Sequence, residues 1–227
     1  MHIYAISDLH LSFGTDKPMD VFGEQWRDHP ARLSEAWRAC VTADDLVLIP
    51  GDVSWAMQLS ETAKDMAFLS ALPGKKLLSR GNHDYWWGSL KQVRAALPPD
   101  ISALRNDAFV FGGYAVCGAR GWICPADPQF TAHDRTVYEH ELWRLRLSLD
   151  AAPPDLPKIV MLHFPPFTGR LFDPGFSALL EEAAPAFVLY GHLHGAAHKN
   201  AFVGTRNGSE YRCVAADYLN FTPLLLV

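Results

Sequence analysis

The sequence predicts an α/β protein with two packed mixed sheets and helices outside. Three observations lead there. Short apolar runs alternate with helical-period segments through the first half of the chain. Gly112-Gly113 then separates two runs rich in aromatic and apolar residues, a hairpin signal, so antiparallel pairs join the crossovers. No repeat, low-complexity tract or linker interrupts the 227 residues, so they read as a single domain over 1–227, long enough to bury a sizeable core.

The elements follow in order. Met1 to Ser7 reads as a buried strand. Phe13 to Pro30 is a loop rich in Gly, Asp and Pro, expected to be either a lid or an ordered surface excursion. Pro30 suits a first helical turn, and Leu33, Trp37 and Cys40/Val41 recur at helical spacing. Leu46 to Ile49 is a second apolar strand. Ser60 is expected to cap a helix that runs to about Leu72, where Pro73-Gly74 ends it. Lys76 to Ser79 is a third strand, followed by a short helix over about Ser89 to Leu97. Beyond the hairpin, Tyr138, Leu142, Leu145 and Leu149 mark one face of a long amphipathic helix. Ile159 to Leu162 and Phe187 to Tyr190 are two more strands, with a helix from Ala178 to Ala184 between them. The tail, Ala201 to Val227, reads as strands joined at Asn207-Gly208.

Composition narrows the class. Hydrophobic residues make up 49% and charged residues 20%, with a formal net charge of −5, so a general polyanion-binding surface is not indicated. A positive pocket around bound cations fits within that balance. Cys40, Cys117, Cys124 and Cys213 form no C-x-x-C pair and have no zinc-ribbon spacing; they read as thiols in a reducing cytosol. No apolar run approaches a membrane span, and the N-terminal residues lack a basic region followed by an apolar one. A signal peptide would also carry away Asp8, a candidate ligand. A cytoplasmic location is therefore expected.

Five polar clusters each follow a strand-like run: Asp8-Leu9-His10, Gly51-Asp52, Gly81-Asn82-His83-Asp84, His163 and Gly191-His192-Leu193-His194. They offer carboxylate, imidazole and carboxamide donors, the ligands of borderline and hard divalent metals. In open α/β sheets such groups meet beyond the carboxyl ends of the strands. Each cluster alone is ordinary: an Asp or Gly-Asp after a strand is usually a turn, and a lone His is usually a core residue. Their ordered combination is what points to a metal site.

This series, D-x-H, G-D, G-N-H-D, H and G-H-x-H, resembles the calcineurin-like metallophosphoesterase family and spans residues 8 to 194. The resemblance implies the metallophosphatase fold, a four-layer α/β/β/α sandwich. It implies two divalent ions, Mn, Fe or Zn. Asp8, His10 and His194 would hold one; Asn82, His163 and His192 would hold the other; Asp52 would bridge both. It also implies in-line attack on phosphorus by a metal-activated hydroxide, with His83 donating a proton to the leaving oxygen or orienting the phosphate. Asp84 is expected to hold the loop or the imidazole. Arg120 is the preferred arginine for phosphate oxygens, ahead of Arg80 and Arg170. Trp86-Trp87 is expected in the core, with one ring available to wall the pocket. His2, His29, His133, His140 and His198 read as structural or surface groups.

The second block, Gly51-Asp52-Val53-Ser54-Trp55, lacks the Asp-Arg pair of phosphoprotein phosphatases, which also end the third block in Glu. His83 departs from the G-N-R-D of lipid A-pathway pyrophosphatases. His163-Phe164-Pro165 departs from the H-H-P common in cyclic-nucleotide phosphodiesterases. The whole chain most resembles small bacterial phosphohydrolases. The expected partner is a small phosphomonoester or phosphodiester. A nuclease or cyclic-nucleotide phosphodiesterase acting on the same site is the alternative, and a non-catalytic binding module is disfavoured because every block is intact. No feature of the sequence addresses oligomeric state.

Overall fold

The computed structural model describes residues 1–227. The first half contains β1 (Ile3–Ala5), α1 (His29–Cys40), β2 (Leu46–Pro50), α2 (Ala63–Ser70), β3 (Lys75–Ser79), α3 (Leu90–Ala96) and β4 (Ile101–Ala103). There follow β5 (Phe109–Phe111), β6 (Tyr114–Ala119), α4 (Ala132–Asp150), β7 (Lys158–Leu162), β8 (Phe167–Thr168), β9 (Leu171–Phe172) and α5 (Pro174–Ala183). The chain closes with β10 (Phe187–Tyr190), β11 (Gly204–Arg206), β12 (Ser209–Cys213) and β13 (Leu224–Leu225).

One sheet has the order β13-β1-β2-β3-β4, parallel except for β13. The other has the order β11-β12-β10-β7-β6-β5, with a parallel centre and antiparallel edges. The period of two along each strand feeds two cores at once. Val47 and Ile49 of β2 pack under α1 to α3 with Leu33, Trp37, Met66 and Val93. Leu46 and Leu48 face the other way and meet Val116, Ile159, Met161 and Leu189 of the second sheet. On that sheet's outer face, Val160 and Leu162 pack with Leu145 of α4 and Phe176 of α5. The layers are therefore α/β/β/α. No helix is long and apolar enough to cross a membrane.

Several boundaries differ from the sequence-based expectation for local reasons. Ser60 does not cap a helix. It lies within a 3-10 turn over Leu59–Thr62, where Gln58 and Glu61 form the capping box, and α2 begins only at Ala63. The α5 helix starts earlier than expected because Asp173 accepts the Phe176 N–H at 2.9 Å and Pro174 fills the first turn. The first strand is shorter than Met1 to Ser7, yet Ser7 still pairs across to the second sheet. Its N–H donates to the Val214 carbonyl at 2.7 Å, and its carbonyl accepts from Ala216 at 2.9 Å. These two bonds join the carboxyl ends of β1 and β12, where the two sheets share a rim.

Lys76 supplies a test of the fold. Its side chain is fully buried, and Nζ donates to the Leu72 carbonyl at 2.6 Å and to Asp100 Oδ2 at 2.8 Å. An Asp100→Ala variant leaves that ammonium without its carboxylate. It is expected to lose about 3 kcal/mol of stability in urea unfolding, and Lys76→Met in the same background should recover most of the loss.

Candidate metal centre

Each chemistry-bearing side chain is delivered by a sharp turn beyond a strand. Asp8, His10, Asp52 and His192 all have positive φ, at 57°, 46°, 53° and 69°. That region is costly for side-chain-bearing residues, and held together these four mark a functional rim. Two glycines make room. A Cβ on Gly81 would come within 2.0 Å of Asp52 Oδ1, and one on Gly191 within 2.1 Å of Asp8 Oδ2. The backbone thus presses directly against the two carboxylates.

Seven groups from five strand ends converge. On one side, His194 Nε2 lies 3.3 Å from Asp8 Oδ1 and 3.5 Å from His10 Nε2. On the other, Asn82 Oδ1 lies 2.6 Å from His163 Nε2 and 3.1 Å from His192 Nδ1. Asp52 Oδ2 stands between the two groups, 3.9 Å from His10 Nε2 and 3.4 Å from His163 Nε2. Asp8, His10 and His194 form one set of mutually close donor atoms, and Asp8, Asp52 and His163 form another.

Hydrogen bonds at the outer atoms decide which lone pairs point inward. His163 Nδ1 is 3.1 Å from the Pro50 carbonyl, which accepts its proton and leaves Nε2 free. His194 Nδ1 donates to Asp217 Oδ1 at 2.8 Å, which turns its Nε2 inward toward Asp8 and His10. This is the usual support for a metal-ligating imidazole. Inside the ring of donors, Asp52 Oδ2 is buried and has no hydrogen-bond partner. A buried carboxylate oxygen without a partner is costly, and a cation between the two groups supplies what is missing. The residues therefore fit divalent metal.

Electrostatics agree. Burial pushes His10, His163 and His192 down, His192 to about 3, so these rings are neutral with lone pairs available. Burial, then the charges of Asp8 and Asp84, push Asp52 up. Burial is the largest single effect and works against ionised Asp8 as well, but the bond to His194 and the His194 charge, with smaller contributions from His163 and His10, together outweigh it and hold Asp8 low. His194 is the exception among the imidazoles. Burial would lower it, yet Asp217 and Asp8 push it up to about 10.

His83 faces the cavity beside the centre. Its backbone N–H donates to Asp52 Oδ1 at 2.8 Å, its ring lies 4.6 Å from Trp55 between centroids, and its Nδ1 is without a partner. Burial and the neighbouring His163 hold its pKa down. That cavity, open to solvent on one side, has a volume of about 350 Å³ and is walled by Met19, Phe22, Trp26 and Trp55. The segment expected as a lid or a surface excursion thus forms one wall. Asp84 is fully buried. It accepts N–H bonds from Gly81 at 2.8 Å, Asp52 at 2.9 Å and Val53 at 3.0 Å, and the Trp86 indole N–H at 2.9 Å. It holds the loops together and does not touch the His83 ring. Trp86 and Trp87 are both core residues.

Arg120 is not brought into that cavity. Its guanidinium pairs with Glu141 at 3.3 Å, lies over the Trp122 ring and lines a separate cleft. Arg170 is exposed. One residue escaped the sequence reading: Asp217, which orients His194 and also accepts the Gly195 N–H at 3.1 Å. His198, read as structural or surface, places Nε2 3.3 Å from Asp217 Oδ2, outside hydrogen-bonding geometry. The signal for Asp217 was there, because it follows the apolar run Val214-Ala215-Ala216 as Asp8 and Asp52 follow theirs. An Asp217→Asn variant is expected to weaken metal binding about 10- to 100-fold, measured by chelator competition.

Fold and site together define a metal-dependent phosphoester hydrolase. The chain belongs to the calcineurin-like phosphoesterase family, whose model matches residues 1–196. Among curated proteins, the Gene 66 protein of Mycobacterium phage L5 is 35% identical over 80 residues, 34% of this chain and 37% of that one. Among solved structures, a phosphopantetheinyl hydrolase from Mycobacterium tuberculosis aligns over 100% of this chain and 95% of its own, with TM-score 0.61 and 14% identity. A protein of unknown function from Aquifex aeolicus aligns over 99% and 95%, with TM-score 0.53 and 14% identity. At such identities the likeness is one of fold.

Proposed function

We propose that this protein hydrolyses small phosphomonoesters or phosphodiesters with two divalent ions, Mn, Fe or Zn. Asp8, His10 and His194 would hold one ion, Asn82, His163 and His192 would hold the other, and Asp52 would serve both. When bound, such a pair supplies Lewis acidity toward phosphoryl oxygens and a nucleophile at neutral pH. The carrying observation is the buried, unpartnered Asp52 Oδ2 between two groups of inward-facing donors.

The chain's own residues do the rest. His83 faces the reacting group from the cavity side, where its imidazole donates a proton to the leaving oxygen. Asp52 fixes the His83 backbone, and Asp84 fixes the turns that carry Asp52 and Asn82. Trp26, Trp55, Phe22 and Met19 exclude water from the leaving-group side and suit an apolar or planar alcohol. The same reading takes 1–227 as one domain and places it in the cytoplasm, in keeping with four free thiols.

A Mn²⁺-supplemented screen of p-nitrophenyl phosphate, its bis-ester, cyclic nucleotides and dinucleotides tests the proposal. Hydrolysis of a small ester, abolished by chelation and restored by metal, is expected. No turnover of any of these by metal-loaded protein would overturn it, and turnover confined to dinucleotides would make the protein a nuclease.

A further inference from the structure

Beside the metal centre lies a second cleft that the hydrolytic reading leaves unused. It is a narrow cleft of about 30 Å³, partly open to solvent, at the seam between β3, β4, β6 and α4, and four arginines line it: Arg80, Arg105, Arg120 and Arg144. Only one acid faces them. Glu141 is buried; it accepts the Arg120 backbone N–H at 3.1 Å and pairs with the guanidinium groups of Arg120 and Arg144. Arg105 makes one long contact, 3.4 Å to the Gly88 carbonyl. The nearby Asp107 is engaged with Arg94. Three positive charges therefore stand in excess within one cleft of a chain whose formal net charge is −5.

Two donors in this cleft have nothing to bond. Arg80 Nε and Arg120 Nε are both buried without a partner. An ordinary surface arginine would extend such a group into water. Asn106 also lines the cleft with an unpartnered carboxamide oxygen, and rotation of that group presents Nδ2 as another donor. Crowding is evident in Arg105, which burial and then the charges of Arg144 and Arg80 hold below the usual guanidinium range. Converging guanidinium forks with excess charge and unmet donors suit a tetrahedral oxyanion.

We propose that Arg80, Arg105, Arg120 and Arg144 form an anion-binding site for a phosphate-class dianion, separate from the metal centre. Glu141 holds Arg120 and Arg144 in place, and the open side of the cluster receives the ligand. The site is tied to the centre at two points. Arg80 precedes the Gly81-Asn82-His83 turn, and the Arg120 carbonyl accepts the His163 N–H at 2.9 Å. The anion is either a second phosphate of the substrate or free inorganic phosphate. The first source rests on the phosphoesterase reading; the site itself does not.

The test starts with protein stripped of metal by chelation, so that no cation can hold the probe. Calorimetric titration with inorganic phosphate is expected to show saturable 1:1 binding that weakens with added salt. Arg105→Gln should weaken it about tenfold or more, and Arg105→Lys, which keeps the charge but loses the fork, by less. The lysine variant keeps the test open should the glutamine variant fail to fold. Absence of saturable binding, or binding unaltered in both variants, would overturn the proposal even if the metal-loaded enzyme is active. Metal-loaded protein then separates the sources. A kcat/KM advantage for fructose 1,6-bisphosphate over fructose 6-phosphate that disappears in Arg105→Gln assigns the site to the substrate. Equal values beside intact phosphate binding assign it to free phosphate.

Discussion

An Asp52→Asn variant is expected to lose metal from both positions and to lose about 10³-fold or more in turnover, roughly 4 kcal/mol of transition-state stabilisation. The substitution preserves shape. Oδ1 can still accept the His83 N–H, now at 2.8 Å, so the turn survives. What disappears is the charge on Oδ2, the buried oxygen between the two donor groups. The metal-free variant should be no less stable than metal-free wild type, because burial and the charges of Asp8 and Asp84 already disfavour a carboxylate there and the neutral amide avoids that cost. Loss of metal with an intact fold, read by elemental analysis beside circular dichroism, separates ligation from structure. A variant that keeps both metals would refute the bridging role.

His83→Ala is expected to do the opposite. Metal content should remain at the wild-type level while turnover falls about 10²–10⁴-fold, the usual span for a lost proton donor. The imidazole contributes no atom to either donor group. Its ring packs against Trp55 and His10, and only its backbone N–H serves Asp52. Substrates with good leaving groups need less proton donation, so the deficit should be smaller for p-nitrophenyl phosphate than for an alkyl phosphate. A deficit equal for both would move His83 from proton donor to phosphate orienter. Unchanged turnover would remove it from the mechanism.

Much of this was legible in the sequence because strand ends announce themselves. Leu46-Val47-Leu48-Ile49 is apolar on both faces, which only a strand covered on both sides explains, and Asp52 follows at once. The same syntax exposed Asp8, Asn82, His163 and His192. Asp217 has this syntax too, but no second ligand type stands beside it to draw the eye, and its role is to hold His194 through a bond made only in three dimensions. The start of α2 differs from the expectation because Leu59–Thr62 closes first as a 3-10 turn, with Glu61 accepting the Met57 and Gln58 N–H groups at 2.8 and 3.1 Å. Strands β4 and β13 span three and two residues, too short for any period to show. The arginine cleft was beyond reach for a different reason. Arg80, Arg105, Arg120 and Arg144 belong to four separate elements or their ends, and only the packing of one sheet on the other brings them together. Arg120 is expected from the sequence to meet phosphate at the metal centre, but its guanidinium turns to Glu141 and Trp122, neighbours that its flanking residues do not show.

The most direct test of the account is the metal stoichiometry of the reconstituted protein, with positions located by anomalous scattering from a Mn²⁺- or Zn²⁺-loaded crystal. The account predicts two ions per chain, one touching His10 and His194, one touching Asn82 and His192, with Asp52 shared. A single ion, or two ions not joined by Asp52, would contradict it.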